Sequence, residues 1–421
     1  MNKIKKYLFS ELYEMSSGIS STKDQAGHGA PFLSFSTVFN NYFLPKKLKD
    51  KMNTTSKEQE TFSIKKGDIF VTRTSETIDE LAMSCVALKD YPNATYSGFV
   101  KRLRPKTSGI VDDKFIAFYL RSKLFRKTME NNATMTLRAS FNEDIFSFLS
   151  LYLPPYKEQV KIGKLLYSIE EKIQYNKKIN DNLHQQLKFL YDYWFTQFDF
   201  PDENGKPYKS SGGLMLSNDK VSYKVPADWK VYSLFENPLT TIIKPGIDVF
   251  ESKNYLATAE VDGTEISTGA VIDYENRESR ANMQPTVNSI WFAKMKNSVK
   301  HLYLNKEMQE LITNSILSTG FCGLQCTEEN FEYVASFIEH SYFETLKDTL
   351  AHGATQEAVN NDDLSGIVFV VPPERILRLF HESTETMYSQ ISRNICENRE
   401  LTQLRDWLLP ILMNGQATLS D

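Results

Sequence analysis

The stretch Leu153–Ile173, LPPYKEQVKIGKLLYSIEEKI, is written again 218 residues later as Val371–Ile391, VPPERILRLFHESTETMYSQI. A period of half the chain constrains the fold more than any local motif, because whatever the first half builds the second must build again. Proline is tolerated in the first turn of a helix, so Pro154–Pro155 and Pro372–Pro373 predict two helix starts. After the first pair only Gly163 interrupts the next 40 residues. That predicts a helix of roughly 60 Å at about 1.5 Å per residue.

The spacing inside the first helix is that of a coiled-coil seam. Ile162, Leu166, Ile169, Ile173, Asn176, Asn180, Leu183, Leu187, Leu190 and Trp194 follow alternating steps of four and three. At the same offset the second helix carries Phe380, Thr384, Met387, Ile391, Asn394, Asn398, Leu401, Arg405, Leu408 and Leu412. Eight of 41 positions are identical and five of those eight fall on the seam, so the likeness is concentrated where packing would need it. An amide in an apolar seam costs stability and fixes register when it meets another amide. An antiparallel pair about a pseudo-twofold axis would bring Asn176 near Asn398 and Asn180 near Asn394. His184 stands one place off the seam and is expected to face solvent.

The segments before each helix keep one order. Lys65–Ser75 (KKGDIFVTRTS), Tyr96–Pro105 (YSGFVKRLRP) and Asn132–Pro155 precede the first helix; Val287–Ser298, Ser318–Cys326 (STGFCGLQC) and Gly353–Pro373 precede the second. Each half reads as a turn-bounded strand, a Gly-Phe strand entry, a helix (114–130 and 330–349), a polar loop and an alternating strand. The predicted fold is therefore mixed α/β, α+β in type, with two similar globular domains and two long antiparallel coiled-coil helices. Its expected divisions are 1–152, a first domain; 153–198, the first helix; 199–224, a linker rich in Pro, Gly and Ser; 225–371, a second domain; 372–414, the second helix; and 415–421, a tail.

Composition narrows the function classes. Without 18 consecutive apolar residues or a secretory leader, the chain is expected to be cytoplasmic and not to span a membrane. Four irregularly spaced cysteines read as reduced thiols, and no metal is expected. Six scattered histidines lack ligand spacing. The net charge of -4 does not advertise a polyanion partner, but Arg102, Arg104 and Lys106, and Lys294, Lys296 and Lys300, form local basic groups.

Catalytic signatures are missing. LPPY at Leu153–Tyr156 resembles the Pro-Pro-Tyr of DNA amino-methyltransferases, but leucine cannot accept the hydrogen bond that the Asn or Asp of those enzymes accepts from the target amine. No phosphate-cradling loop and no nucleophile elbow occur. In Pro201–Lys206 the two carboxylates are adjacent and the lysine falls one place too far for a magnesium-clamping nuclease pattern. Catalysis is not expected in this chain. Two similar domains with two long helices suit a reader of two half-sites separated by unread base pairs.

At this point the chain resembles the type I restriction-modification specificity (S) subunits. The resemblance rests on the paired prolines, Gly67-Asp68-Ile69-Phe70 followed by Arg73, FPDENGKPYKSSGG after the first helix, VPADWK at Val225–Lys230, and the loop Gly353-Ala354-Thr355-Gln356. It implies a non-catalytic DNA-specificity subunit serving phage defence. Each target-recognition domain would read one half of a bipartite site on double-stranded DNA through the major groove, and the helices would set the gap. It also implies two methyltransferase (M) subunits docked on the helices, which supply S-adenosylmethionine, and motor-endonuclease (R) subunits; this chain itself would bind no cofactor. Asn132-Ala133-Thr134-Met135 departs from the second domain's Gly-Ala-Thr-Gln, as expected if the domains read different sequences.

Guanidinium and amide groups read base edges, and lysines and hydroxyls hold phosphates. The candidate DNA contacts are accordingly Arg73, Thr74, Lys101, Arg138 and Ser140 in the first domain and Lys294, Lys296, Thr355 and Gln356 in the second. The alternatives are a helical scaffold with two peptide-binding domains and no DNA role, an enzyme with an unrecognised cleft, and the targeting subunit of a related phage-defence system.

Overall fold

The computed structural model describes residues 4–20, 22–75, 77, 80–132 and 139–417. The chain is mixed α/β and forms two compact units, Met1–Glu171 with Leu401–Asp421, and Lys172–Glu400.

The first unit is built on buried β runs. Ile69–Thr72 is buried throughout and pairs antiparallel with both Val100–Pro105 and Ser84–Val86. The resulting sheet runs Tyr13–Ser17, Val100–Pro105, Ile69–Thr72, Ser84–Val86. Successive side chains point to opposite faces of a strand, so this sheet serves two cores. Ile69, Val71 and Leu103 pack with Phe115, Phe118, Ile162 and Leu166 on one side, and Phe70 and Val100 pack with Cys85 and Tyr96 on the other. A short run buried on both faces has no alternation to show, which is why it reads as continuous apolar sequence. Lys5–Leu8 pairs with Ser150–Leu153 and brings the start of the domain beside the start of the first long helix.

The second unit repeats this arrangement. Its main sheet runs Thr240–Ile242, Phe321–Cys326, Ser289–Ala293, His301–Leu304, the same strand order, and Lys230–Ser233 pairs with Val368–Val371. The smaller sheets diverge: three strands around a parallel Ala26–Leu33/Thr95–Tyr96 pair in the first unit, four around a parallel Lys253–Leu256/Ser315–Ser318 pair in the second. In each unit the single helix expected from sequence is two, Asp113–Tyr119 with Lys123–Asn132, and Phe331–Glu339 with Ser341–Leu350. His340 causes the second break: its backbone is extended (ψ 137°) and its Nδ1 accepts the Tyr342 N–H at 3.1 Å, capping a new helix.

The long helices span Tyr156–Tyr191 and Glu374–Met413. Both begin alike, with the carbonyls of Pro155 and Pro373 accepting the first helical N–H groups. The first passes into a π-helical turn at Asp192–Thr196, and the second carries Pro410 at the corresponding place. Gly163 is required by packing, because a Cβ there would stand 2.6 Å from the Phe115 nitrogen at the start of a neighbouring helix.

Within the second unit the asparagines meet. Asn176 Nδ2 donates to Asn398 Oδ1 at 3.0 Å and to Glu397 Oε2 at 2.7 Å, and Asn394 Nδ2 donates to Asn180 Oδ1 at 2.7 Å. All four asparagines are buried. Rising numbers on one helix meet falling numbers on the other, so the pair is antiparallel. Within the first unit the charge at seam position Arg405 is answered by Glu170, Nη1 to Oε2 at 2.8 Å.

Candidate nucleic-acid interface

Where the inner strand of the first domain ends, the backbone of Arg73 is clamped on both sides. Its N–H donates to the Phe99 carbonyl at 2.9 Å, and its carbonyl accepts the Phe141 N–H at 2.8 Å. Thr74 pairs with Ser140 immediately beyond. Main-chain atoms thus fix this corner while the side chain of Arg73 stays exposed. Lys101 lies two residues from Phe99, opposite Val71, and its Nζ donates to Ser17 Oγ at 2.7 Å. Burial and then the neighbouring Arg73 charge hold the Lys101 pKa below the usual lysine range. Arg73, Thr74, Lys101 and Ser140 therefore form one cluster at the end of the sheet. Arg138 lies outside the described residues.

The second domain makes the same clamp with different side chains. Lys294 N–H donates to the Gly320 carbonyl at 2.9 Å, and its carbonyl accepts the Val359 N–H at 3.0 Å. Met295 then bridges Ala358 as Thr74 pairs with Ser140. These matches make Arg73 equivalent to Lys294, Phe99 to Gly320 and Lys101 to Cys322. The Gly-Phe motifs aligned by sequence are thus out of step by one: Val100, not Phe99, occupies the place of Phe321. Lys296 is ion-paired with Glu357 at 2.8 Å, in the segment just after the loop. Thr355 and Gln356 are exposed on that loop, whose turn needs Gly353: its φ is +138°, and a Cβ there would lie 2.4 Å from the Gln356 carbonyl oxygen.

The basic groups seen in sequence are largely consumed by the fold. Arg104 makes a bidentate pair with the fully buried Asp68, Arg102 donates to the Ser63 carbonyl, and Lys106 donates to the Ser10 carbonyl. Lys300 likewise donates to the Thr258 carbonyl. What remains at each strand end is Arg73 or Lys294, with Lys101 or the Cys322 thiol beside it. Burial pushes the Cys322 pKa up to about 12, so it stays a neutral group. Two exposed side chains absent from the sequence-based set belong to the same corners. The Phe99 ring is 66% exposed, and Arg280 Nη2 lies 3.6 Å from where a Cβ on Gly320 would stand. Phe99 belongs to the Gly-Phe motif, which in sequence reads only as a strand entry, and Arg280 has no periodicity or motif that could have marked it.

Three of the six histidines tie the second domain to the long helices. His381 Nδ1 lies 2.8 Å from Glu332, and His340 Nε2 3.0 Å from Asp192. His184 is half-buried instead of solvent-facing, with Nδ1 at ion-pairing distance, 2.7 Å, from Glu339 but not aligned for a hydrogen bond. The helix Phe331–Glu339 folds over that face of the long helix and covers it. No helix of the described residues is long and apolar enough to cross a membrane.

Comparison with known proteins gives a consistent answer. Residues 9–185 match the type I restriction modification DNA specificity domain. The chain is 23% identical over 443 aligned positions to the type I restriction enzyme HindI specificity subunit of Haemophilus influenzae, covering 91% of this chain and 94% of that one. It is 21% identical to the MjaIX specificity subunit of Methanocaldococcus jannaschii, covering 80% and 76%. In fold it is similar to the crystal structure of a type I restriction-modification S subunit from M. genitalium, with a TM-score of 0.52 at 14% identity over 98% of this chain and 96% of that one.

Proposed function

We propose that this chain, a type I restriction-modification specificity subunit, reads one half of a bipartite DNA site with each of its two domains and is itself non-catalytic. The observation that carries the reading is the duplicated corner. Arg73 and Lys294 end equivalent strands between the same two main-chain hydrogen bonds, and the side chains around them differ. A frame that is repeated while its surface residues change suits two reading heads of one design. Double-stranded DNA is the ligand, and the cations at both corners supply the counterion-releasing contacts that make such binding fall steeply with salt. Methyltransferase subunits, which bring S-adenosylmethionine, and motor-endonuclease subunits are the proposed partners, with the helices setting the unread gap.

The test is long-read methylome sequencing of cells carrying this gene with its neighbouring methyltransferase gene, against cells lacking this gene alone. The expected result is a bipartite adenine-methylation motif with a fixed gap that vanishes with the gene. An unchanged methylome in cells with an active methyltransferase would refute the reading and favour a scaffold.

A further inference from the structure

We propose that Phe99 and Arg280 determine specificity at equivalent places in the two domains, Phe99 by contacting a thymine methyl in the first half-site and Arg280 by reading a guanine in the second. The proposal rests on the DNA-reading function above and adds residues that neither motif nor comparison assigns.

The geometry around Phe99 is that of a mounted probe. Its N–H donates to Ser97 Oγ at 3.2 Å and its carbonyl accepts the Arg73 N–H at 2.9 Å, so the main chain is held at both ends. Gly98 sits against the Ile19 carbonyl, with a Cβ there only 3.0 Å from that oxygen, which leaves the turn no slack. Yet the ring is 66% exposed. Arg73 and Phe99 stand opposite one another one step beyond the Thr72/Val100 pair, so their side chains leave the same face of the sheet. An apolar ring held rigidly beside an exposed cation has the form of a base-edge contact flanked by a phosphate or base contact. The apolar feature on the major-groove edge is the C5 methyl of thymine.

The second domain has no side chain at this place. Gly320 takes the position of Phe99, and beside the Thr258 methyl and the Ser318 hydroxyl the Arg280 guanidinium reaches this place, its Nη2 3.6 Å from where a Cβ would stand and its backbone carbonyl accepting the Thr319 N–H at 2.9 Å. Arg280 is exposed, and none of its side-chain nitrogens is engaged in a hydrogen bond or ion pair among the described residues. A planar fork of donors presented beside Lys294 matches the O6 and N7 acceptors of guanine. The two domains thus place opposite chemistries, apolar and cationic, on one frame.

The experiment is selection of bound duplexes from two pools, each randomised in one half-site, by the purified complex of the full chain with its methyltransferase subunits. The wild type is compared with Phe99→Ala, Phe99→Leu, Arg280→Ala and Arg280→Lys. For Phe99→Ala, preference for one A·T pair in the first half-site is expected to fall about fourfold, the worth of roughly one buried methyl group, with the second half-site unchanged and Phe99→Leu intermediate. For Arg280→Ala and Arg280→Lys alike, preference for one G·C pair in the second half-site falls roughly 5- to 150-fold, the range of a bidentate contact. Unchanged preferences, a shift in both half-sites, or a uniform loss of affinity with preferences intact would overturn the proposal. If the wild-type complex itself selects no bipartite sequence, the functional reading fails rather than this assignment.

Discussion

Glu170→Gln tests how the first unit tolerates a charge in its helical seam. Arg405 and Glu170 are 14% and 11% exposed at the side chain and 2.8 Å apart, so each has given up most of its hydration for the other. Removing one partner of such a pair ordinarily costs about 3–5 kcal/mol, because the survivor stays buried and uncompensated. Here Arg405 keeps two other supports. Its Nη2 lies 2.9 Å from the exposed Asp406, and its guanidinium sits 5.1 Å from the centre of the Tyr42 ring. The cost of Glu170→Gln should therefore fall at the low end, about 3 kcal/mol. Arg405→Met leaves the Glu170 carboxylate without that partner and should cost about as much. The double variant Glu170→Leu/Arg405→Met removes both desolvated charges and should lie within about 1 kcal/mol of wild type, or above it. Urea unfolding of these proteins, with Glu170→Leu as the second single variant that closes the cycle, gives the coupling directly. A Glu170→Gln loss under about 1 kcal/mol, or single losses that add within about 0.5 kcal/mol in the double variant, would refute the argument.

Other perturbations address separate contacts. Asn398→Leu alone leaves the buried Asn176 amide short of an acceptor and should cost about 1–3 kcal/mol, whereas Asn176→Leu with Asn398→Leu should raise Tm above that of the single variant, as read by calorimetry. Gly163→Ala drives a Cβ to 2.6 Å from the Phe115 nitrogen and should cost about 1–3 kcal/mol by denaturant unfolding. For His381, burial lowers the imidazole pKa, but the hydrogen bond and charge of Glu332, with Glu385 and Glu328, outweigh it and raise the pKa above the ordinary 6.5. A raised folded-state value means that its stabilisation is complete below pH 6.5 and is lost as pH rises through the higher folded value. Wild type should therefore lose its stability advantage over His381→Gln on going from pH 6 to pH 8.5; a constant difference would exclude the linkage.

The seam was legible because it obeys a local period: two amides every half-chain in a largely apolar stripe are visible without knowing what they touch. The main strands were legible as turn-bounded apolar runs. What sequence could not supply was pairing at long range. Arg104 looked like part of a surface patch because its partner Asp68 is 36 residues away on a strand that meets it only after folding. His184 looked exposed because the helix carrying Glu339 covers it. The Gly-Phe motifs misled by one residue because short identical words align more readily than hydrogen-bond registers. The correspondence of Phe99 with Arg280 was invisible for a related reason. They occupy one place in the frame but come from different positions in the repeat, so no offset superimposes them.

That last point bears on how a repeated fold acquires two specificities. The clamps on Arg73 and Lys294 use only the N–H and carbonyl of each residue, which every amino acid except proline provides. The side chain is exposed or half-buried and contributes little to the core, whose buried residues lie one strand position back at Thr72 and Ala293. Under the proposed function, substitution at the corner would change what is read at small cost in stability, since surface replacements generally cost little. The neighbouring place goes further, since at Gly320 it is bordered by the Arg280 guanidinium, which comes from a separate turn, while phenylalanine at 99 occupies it directly. Stability resides in the strand pairs and the seam, and the side chains proposed to read DNA are ones that the frame holds but does not need.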